Sequence, residues 1–129
     1  MALDCGSRIG PYEVLSRLGA GGMGEVYRAR DTRLGREVAL KVLTQDAARD
    51  EDRLRRFISE AKTVSALNHP NILTLHEIGE SETGPYLVTE VVEGETIRQR
   101  LIRQDVQLSE ALDLAAQTAD GLAKAHEAG

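Results

Sequence analysis

Tryptophan is absent from this 129-residue chain, phenylalanine occurs once as Phe57, and aromatics reach only 3%. That leaves no stacking platform for single-stranded nucleic acid. Basic excess is missing as well: 16 Lys and Arg against 21 Asp and Glu give a formal net charge of −5, the wrong sign for a nucleic-acid face. No nucleic-acid partner is expected. No apolar run approaches the roughly 20 residues that cross a bilayer. The opening MALDCGSRIG lacks the basic flank and long apolar stretch of a secretory signal, so no membrane segment is expected. The single cysteine, Cys5, cannot staple a fold; this points to a reducing cytoplasm, and near a terminus it reads as inert. His69, His76 and His126 lack ligand spacing, and one cysteine cannot complete a zinc site. A metal bound by protein alone is not expected.

What is present reads as one soluble domain's worth of chain, 41% hydrophobic and 29% charged. Repeats, low-complexity tracts and proline-rich linkers are lacking. The runs YEVLSRL (12–18), GEVYRAR (24–30) and EVALKVL (37–43) alternate like strands and predict an antiparallel meander. DTRLGR (31–36) is a polar turn, with Gly35 where a left-handed residue suits it. From about Asp50 the period becomes helical through Leu54, Phe57, Ile58, Ala61, Val64 and Leu67. NHPN (68–71) is predicted to stop that helix, because Pro70 disfavours helical geometry at His69. ILTLHEI (72–78) and PYLVTEVV (85–92) read as two more strands. Past Gly94, TIRQRLIR (96–103) predicts a short helix, and Ser109 is the expected N-cap of a last helix reaching about Ala128.

The densest signal is LGAGGMGEV (18–26), with four glycines at 19, 21, 22 and 24. A dinucleotide-binding turn requires a helix at the third glycine of its motif, and EVYRAR alternates instead. No Gly-Lys-Ser/Thr follows to make a helix-opening phosphate loop. A hairpin tip so rich in glycine exposes successive backbone N–H groups to a close anionic ligand such as phosphate. A merely flexible hairpin is the alternative on these residues alone. Two charges stand out beside it. Lys41 shares a strand face with Ala39 and Leu43, and burying its ammonium is costly without an anion. Glu60 lies at the edge of the helical apolar stripe, where a carboxylate wants a cation. The economical expectation is that the two meet, either as a simple core salt bridge or beside a bound phosphate.

At this point LGAGGMGEVYRARD, VALK, Glu60, LNHPNIL and YLVTEVVEGETI together resemble the small lobe and hinge of a protein kinase, most of all the bacterial eukaryotic-like Ser/Thr kinases. The resemblance implies an α+β fold: a five-stranded antiparallel sheet with one αC-type helix, then a hinge and two large-lobe helices. It divides the chain into a leader (1–9), a small lobe (10–90), and a hinge with an incomplete large lobe (91–129). It implies ATP as the cofactor, bound by Leu18, Gly19, Ala20, Gly21, Gly22, Met23 and Gly24, with the loop from Gly19 to Gly24 covering its phosphates. Val26 and Ala39 would roof the adenine. Lys41 would hold the α- and β-phosphates, and Glu60 would hold Lys41. Thr89 would be the gatekeeper, with the Glu90 carbonyl and the Val92 backbone pairing with the adenine edge. Glu95 or Thr96 would approach the ribose.

The H-R-D motif with its catalytic aspartate, expected just after AHEAG, and the D-F-G aspartate that holds Mg2+ are absent from the 129 residues. Phosphoryl transfer needs both a metal and a base against the acceptor hydroxyl, so this chain alone is expected to be inactive. Mg2+ and a protein substrate belong to the complete kinase. The alternative is a stand-alone nucleotide-binding or dimerisation module. Leaving the last helix's apolar face wet forfeits roughly 1.5–3 kcal/mol for each large side chain such as Leu112 or Leu122, so a homo-oligomer is expected.

Overall fold

The computed structural model describes residues 3–21 and 24–129. The chain divides into two compact units, Met1–Ala66 with Thr74–Val91, and Leu67–Leu73 with Val92–Gly129.

The first unit is an antiparallel sheet with two helices. Its strands are β1 (Arg8–Ile9), β2 (Tyr12–Ala20), β3 (Gly24–Asp31), β4 (Arg36–Leu43), β5 (Leu75–Ser81) and β6 (Gly84–Thr89), in the order β1-β2-β3-β4-β6-β5. Alternation sends Tyr12 and Val14, Tyr27 and Ala29, Val38, Leu40 and Val42, and Tyr86 and Val88 into one core. Each large side chain buried there contributes roughly 1.5–3 kcal/mol. The Tyr12 hydroxyl donates to Glu77 on β5, and Arg33 reaches both groups, at 3.1 Å and 3.3 Å. These bonds tie β2 to β5, which are not neighbours in the sheet. A second apolar cluster, Leu43, Ala47 and Phe57 with Leu54, Ile58 and Leu87 packed against it, seats the helices α1 (Gln45–Arg49) and α2 (Glu51–Ser65).

Several boundaries differ from the sequence reading. The sheet has six strands, not five, because β1 is a two-residue pairing of Arg8–Ile9 with Glu13 and Tyr12, too short to show a period. Helix α1 was not foreseen; Thr44 caps it by accepting from the Ala47 N–H at 3.2 Å. Helix α2 starts where expected, with the Asp50 carboxylate accepting from the Asp52 and Arg53 N–H groups, both at 3.1 Å. It stops at Ser65, before NHPN, on a C-cap at Ala66. Strand β5 begins at Leu75 rather than Ile72, since the Ile72 N–H turns back to the His69 carbonyl at 3.1 Å and the Thr74 N–H goes to the Glu90 carboxylate at 2.8 Å. The β3–β4 turn matches the expectation: Gly35 has φ +68° and its N–H returns to the Asp31 carbonyl at 2.8 Å.

The second unit packs the 67–73 segment with α3 (Ile97–Arg103) and α4 (Leu108–Glu127). Gly121 is buried on α4, where a β-carbon would meet the Asn71 carbonyl at 3.2 Å. Thr96 and Gln99 form a reciprocal capping box at the start of α3, and Gln104, at φ 57°, ends it. Ser109 is not the N-cap of α4. Gln107 holds that position without a side-chain cap. The first turn is secured instead by Arg100, which clasps Glu110 and reaches Asp105 at 3.4 Å. Among the described residues no helix is long and apolar enough to cross a membrane.

Candidate functional site

The β2–β3 hairpin and β4 build an open cleft of about 560 Å3, lined by Leu18, Gly19, Ala20, Gly21, Gly24, Val26 and Lys41. Register explains the grouping. Val26 pairs with Lys41 across the β3–β4 ladder, and both sit one residue off the core set on their strands. Further along β4, Ala39 pairs with Thr89, so the expected roof residue and the expected gatekeeper are neighbours in the sheet. The predicted residues Gly22 and Met23 lie outside the described residues.

The glycines differ in what they need. A β-carbon on Gly24 would lie 2.3 Å from the Val42 carbonyl oxygen, so this glycine is required by the close approach of β4. Nothing lies within 4 Å of a β-carbon built on Gly19 or Gly21. Open space there leaves room for a ligand against bare backbone. The Gly21 N–H is already spent inside the hairpin, donating to the Gly24 carbonyl at 2.9 Å.

Lys41 is half-buried at the cleft, and no ion pair or hydrogen bond from its ammonium to another described residue forms. A cation so placed favours an anionic occupant. Glu60 does not meet it in this structure; it is exposed on α2 and no ion pair joins the two. The reason is the rotation of the helix. Its buried positions are Phe57 and Ala61, with Leu54 and Ile58 beside them. Glu60 is about 60° around the helix from Phe57, on the side away from Ile58, at 3.6 residues per turn.

Thr89 and Glu90 close the first unit. The Thr89 hydroxyl donates to the Glu90 carbonyl at 3.1 Å, and Glu90 is anchored to Thr74 through its N–H (3.0 Å) and its carboxylate (2.8 Å). Val92 belongs to the second unit. There Glu95 is held by Arg103, with one contact at 2.8 Å, and Thr96 is spent as the cap of α3.

Sequence reasoning missed the back of the hairpin. Arg17 reaches Glu25 at 3.3 Å, and Glu25 accepts from the buried Tyr27 hydroxyl. Burial, together with that bond, raises the Tyr27 phenol above its ordinary range. The signal was available in the period of two, which puts Glu25 and Tyr27 on the face opposite Val26.

Comparison with known proteins identifies the family and the fold. The sequence model of the family described as protein kinase domain matches residues 12–129. The serine/threonine-protein kinase PrkC of Bacillus subtilis is 41% identical over 124 residues, spanning 95% of this chain and 19% of its own. PknA of Mycobacterium tuberculosis is 42% identical over 126 residues, 93% of this chain and 29% of the relative. The chain thus spans less than a third of the length of these relatives. Among solved structures, the PknI kinase domain of Mycobacterium tuberculosis superposes with a TM-score of 0.86 at 31% identity, over 99% of this chain and 53% of that one.

Proposed function

The chain belongs to the protein kinase domain family, and we propose that its first unit carries the nucleotide-phosphate site of a serine/threonine protein kinase acting in the cytoplasm. ATP, when bound, supplies the γ-phosphoryl group that the complete kinase passes to a protein Ser or Thr hydroxyl. In this reading Lys41 holds the α- and β-phosphates, and the hairpin from Leu18 to Gly24 lies over them. Val26 and Ala39 cover the adenine, Thr89 stands at its back, and the Glu90 carbonyl accepts from its edge. Val92 takes its place by sequence position alone. Glu60 holds Lys41 only after α2 brings it inward.

The observation that carries the proposal is Lys41: a half-buried lysine without a carboxylate partner among the described residues, in a cleft that Gly19, Gly21 and Gly24 also line. An anion there satisfies the Lys41 ammonium, and the open space beside Gly19 and Gly21 leaves room for it. In this reading Mg2+ belongs to the complete kinase, whose D-F-G aspartate would hold it; that motif does not occur in these 129 residues. With neither H-R-D nor D-F-G in its 129 residues, this chain binds nucleotide without turning it over. Calorimetric titration with ATP, beside a Lys41→Ala control, tests the site. Binding that depends on Lys41 supports it, and equal heats from both proteins refute it. Transfer of labelled γ-phosphate to a Ser/Thr peptide above that control would overturn the inactive reading.

A further inference from the structure

The cleft uses one face of the glycine hairpin, and the opposite face is also built. Glu25 and Tyr27 point there, beside a separate cavity of about 250 Å3 that Leu3 and Val42 also line. Tyr27 is almost fully buried, and its hydroxyl is the middle of a chain. The Leu3 N–H donates to it at 2.9 Å, it donates to one oxygen of Glu25, and Arg17 reaches the other oxygen at 3.3 Å. The leader that begins this chain is itself fixed to β2: the Gly6 N–H donates to the Val14 carbonyl and the Val14 N–H to the Ser7 carbonyl, both at 2.8 Å.

The hairpin needs such a brace. Its ladder is irregular between Arg17 and Gly19, and Gly19, Gly21 and Gly24 have no side chains to pack across it. Glu25 pairs with Ala20 just below the tip, while Arg17 pairs with Tyr27 beyond the irregularity. The Arg17–Glu25 contact therefore crosses the weak point from one arm to the other, and Tyr27 connects it to the leader.

We propose that Tyr27 and Glu25 are positioning residues that transmit the docking of the leader, Leu3 to Ser7, to the glycine hairpin and so set its affinity for nucleotide phosphate. The proposal rests on the reading of the cleft given above. Its test separates the two. Tyr27→Phe keeps the buried ring and removes the relay hydroxyl; Glu25→Gln keeps an acceptor for Tyr27 and discharges the partner of Arg17. Amide hydrogen exchange is measured on the ligand-free full chain, and ATP affinity by calorimetry. Tyr27→Phe is expected to speed exchange about fivefold at the Leu3 amide and at the hairpin amides together, with β4 and β6 unchanged. ATP affinity falls by a similar factor. Glu25→Gln speeds exchange at the hairpin and leaves the Leu3 amide protected. Unchanged hairpin exchange, or a uniform acceleration through the whole sheet, overturns the proposal. If Tyr27→Phe fails to fold, Glu25→Gln still reports on the brace with the ring and relay in place. If the wild-type chain binds no ATP, the cleft reading fails while the exchange data still decide whether the brace exists.

Discussion

Lys41 and Glu60 are one motif in the sequence and two separate residues in the structure, and substitutions distinguish them. Removing the Lys41 ammonium deletes a charge-assisted bond, which is worth about 1.5–3 kcal/mol. Lys41→Ala should therefore weaken ATP binding by at least about tenfold. Glu60→Ala should change it less than about twofold, because no pair exists here to be lost. Equal losses in a calorimetric comparison would mean that ligand binding draws α2 inward. The glycines divide similarly. Gly24→Ala forces β3 away from the Val42 carbonyl and should lower stability by about 1–3 kcal/mol, read as a shifted urea midpoint. Gly21→Ala should leave that midpoint nearly unchanged. Asp31 supplies a pH dependence. It is only 2% exposed; burial raises its pKa, but the N–H groups of Arg33 (2.9 Å) and Leu34 (3.3 Å) and the Arg33 guanidinium outweigh that, holding the carboxyl below its ordinary value. A depressed folded pKa contributes stability above the unfolded value, lost as pH falls through the folded one. The first unit should weaken below the ordinary value of 3.8, and Asp31→Asn should flatten that part of the pH–stability curve.

Among elements, α3 shows how a short segment is made to hold. Seven residues are too few for a stable helix in isolation, so contacts outside it must supply the difference. Arg100 clasps Glu110 at the start of α4 and reaches Asp105, while Arg103 takes Asp105 at 2.5 Å together with Glu95. The hydrogen bond from Arg100 depresses the Glu110 carboxyl, and that from Arg103 depresses Asp105. Both shifts have the same sign, so this clasp stabilises above the ordinary carboxylate range and weakens as pH falls through it. Loss of helical circular dichroism on acidification should therefore be smaller in Glu110→Gln than in wild type, from a lower starting stability. An identical acid profile in both proteins would count against the clasp. Such contacts also explain what was legible beforehand. Five strand signals and α2 follow from periodicity, as Tyr12–Ala20, Gly24–Asp31, Arg36–Leu43, Leu75–Ser81, Gly84–Thr89 and Glu51–Ser65, with the ends of β5 and β6 shifted by about three residues. Two-residue β1 and five-residue α1 are too short to repeat a period. The start of α4 was misplaced because a tertiary clasp, not the nearby Ser109, secures it. The cleft residues were readable as Val26, Lys41 and glycines in register; the exposure of Glu60 was not, because a position at the edge of a stripe reverses its meaning with a small rotation of the helix.

At the scale of the whole chain, exposed apolar surface is unevenly distributed. In the second unit Leu101, Ile102, Leu108, Leu112 and Leu122 are all more than half exposed, whereas among the described residues of the first unit only Leu18 and Leu34 are comparably open. Beside them Ile97, Leu101, Val106, Leu114, Ala115 and Leu122 line an apolar groove of about 360 Å3 between α3 and α4. Single exposed leucines need no explanation, but a clustered set does. Covering Leu112 and Leu122 would recover roughly 1.5–3 kcal/mol each, and a second copy of the chain is the one partner present in any pure solution. Self-association at a twofold interface would use each such residue twice, which makes the response to substitution steep. We therefore expect sedimentation velocity to show an average mass that rises with concentration for the wild type. Leu112→Lys with Leu122→Glu should return it to the monomer while leaving the ATP heats unchanged, because neither side chain lines the cleft. A wild-type chain that stays monomeric across a wide concentration range would remove self-association from the account and leave the nucleotide site as the only binding function proposed for it.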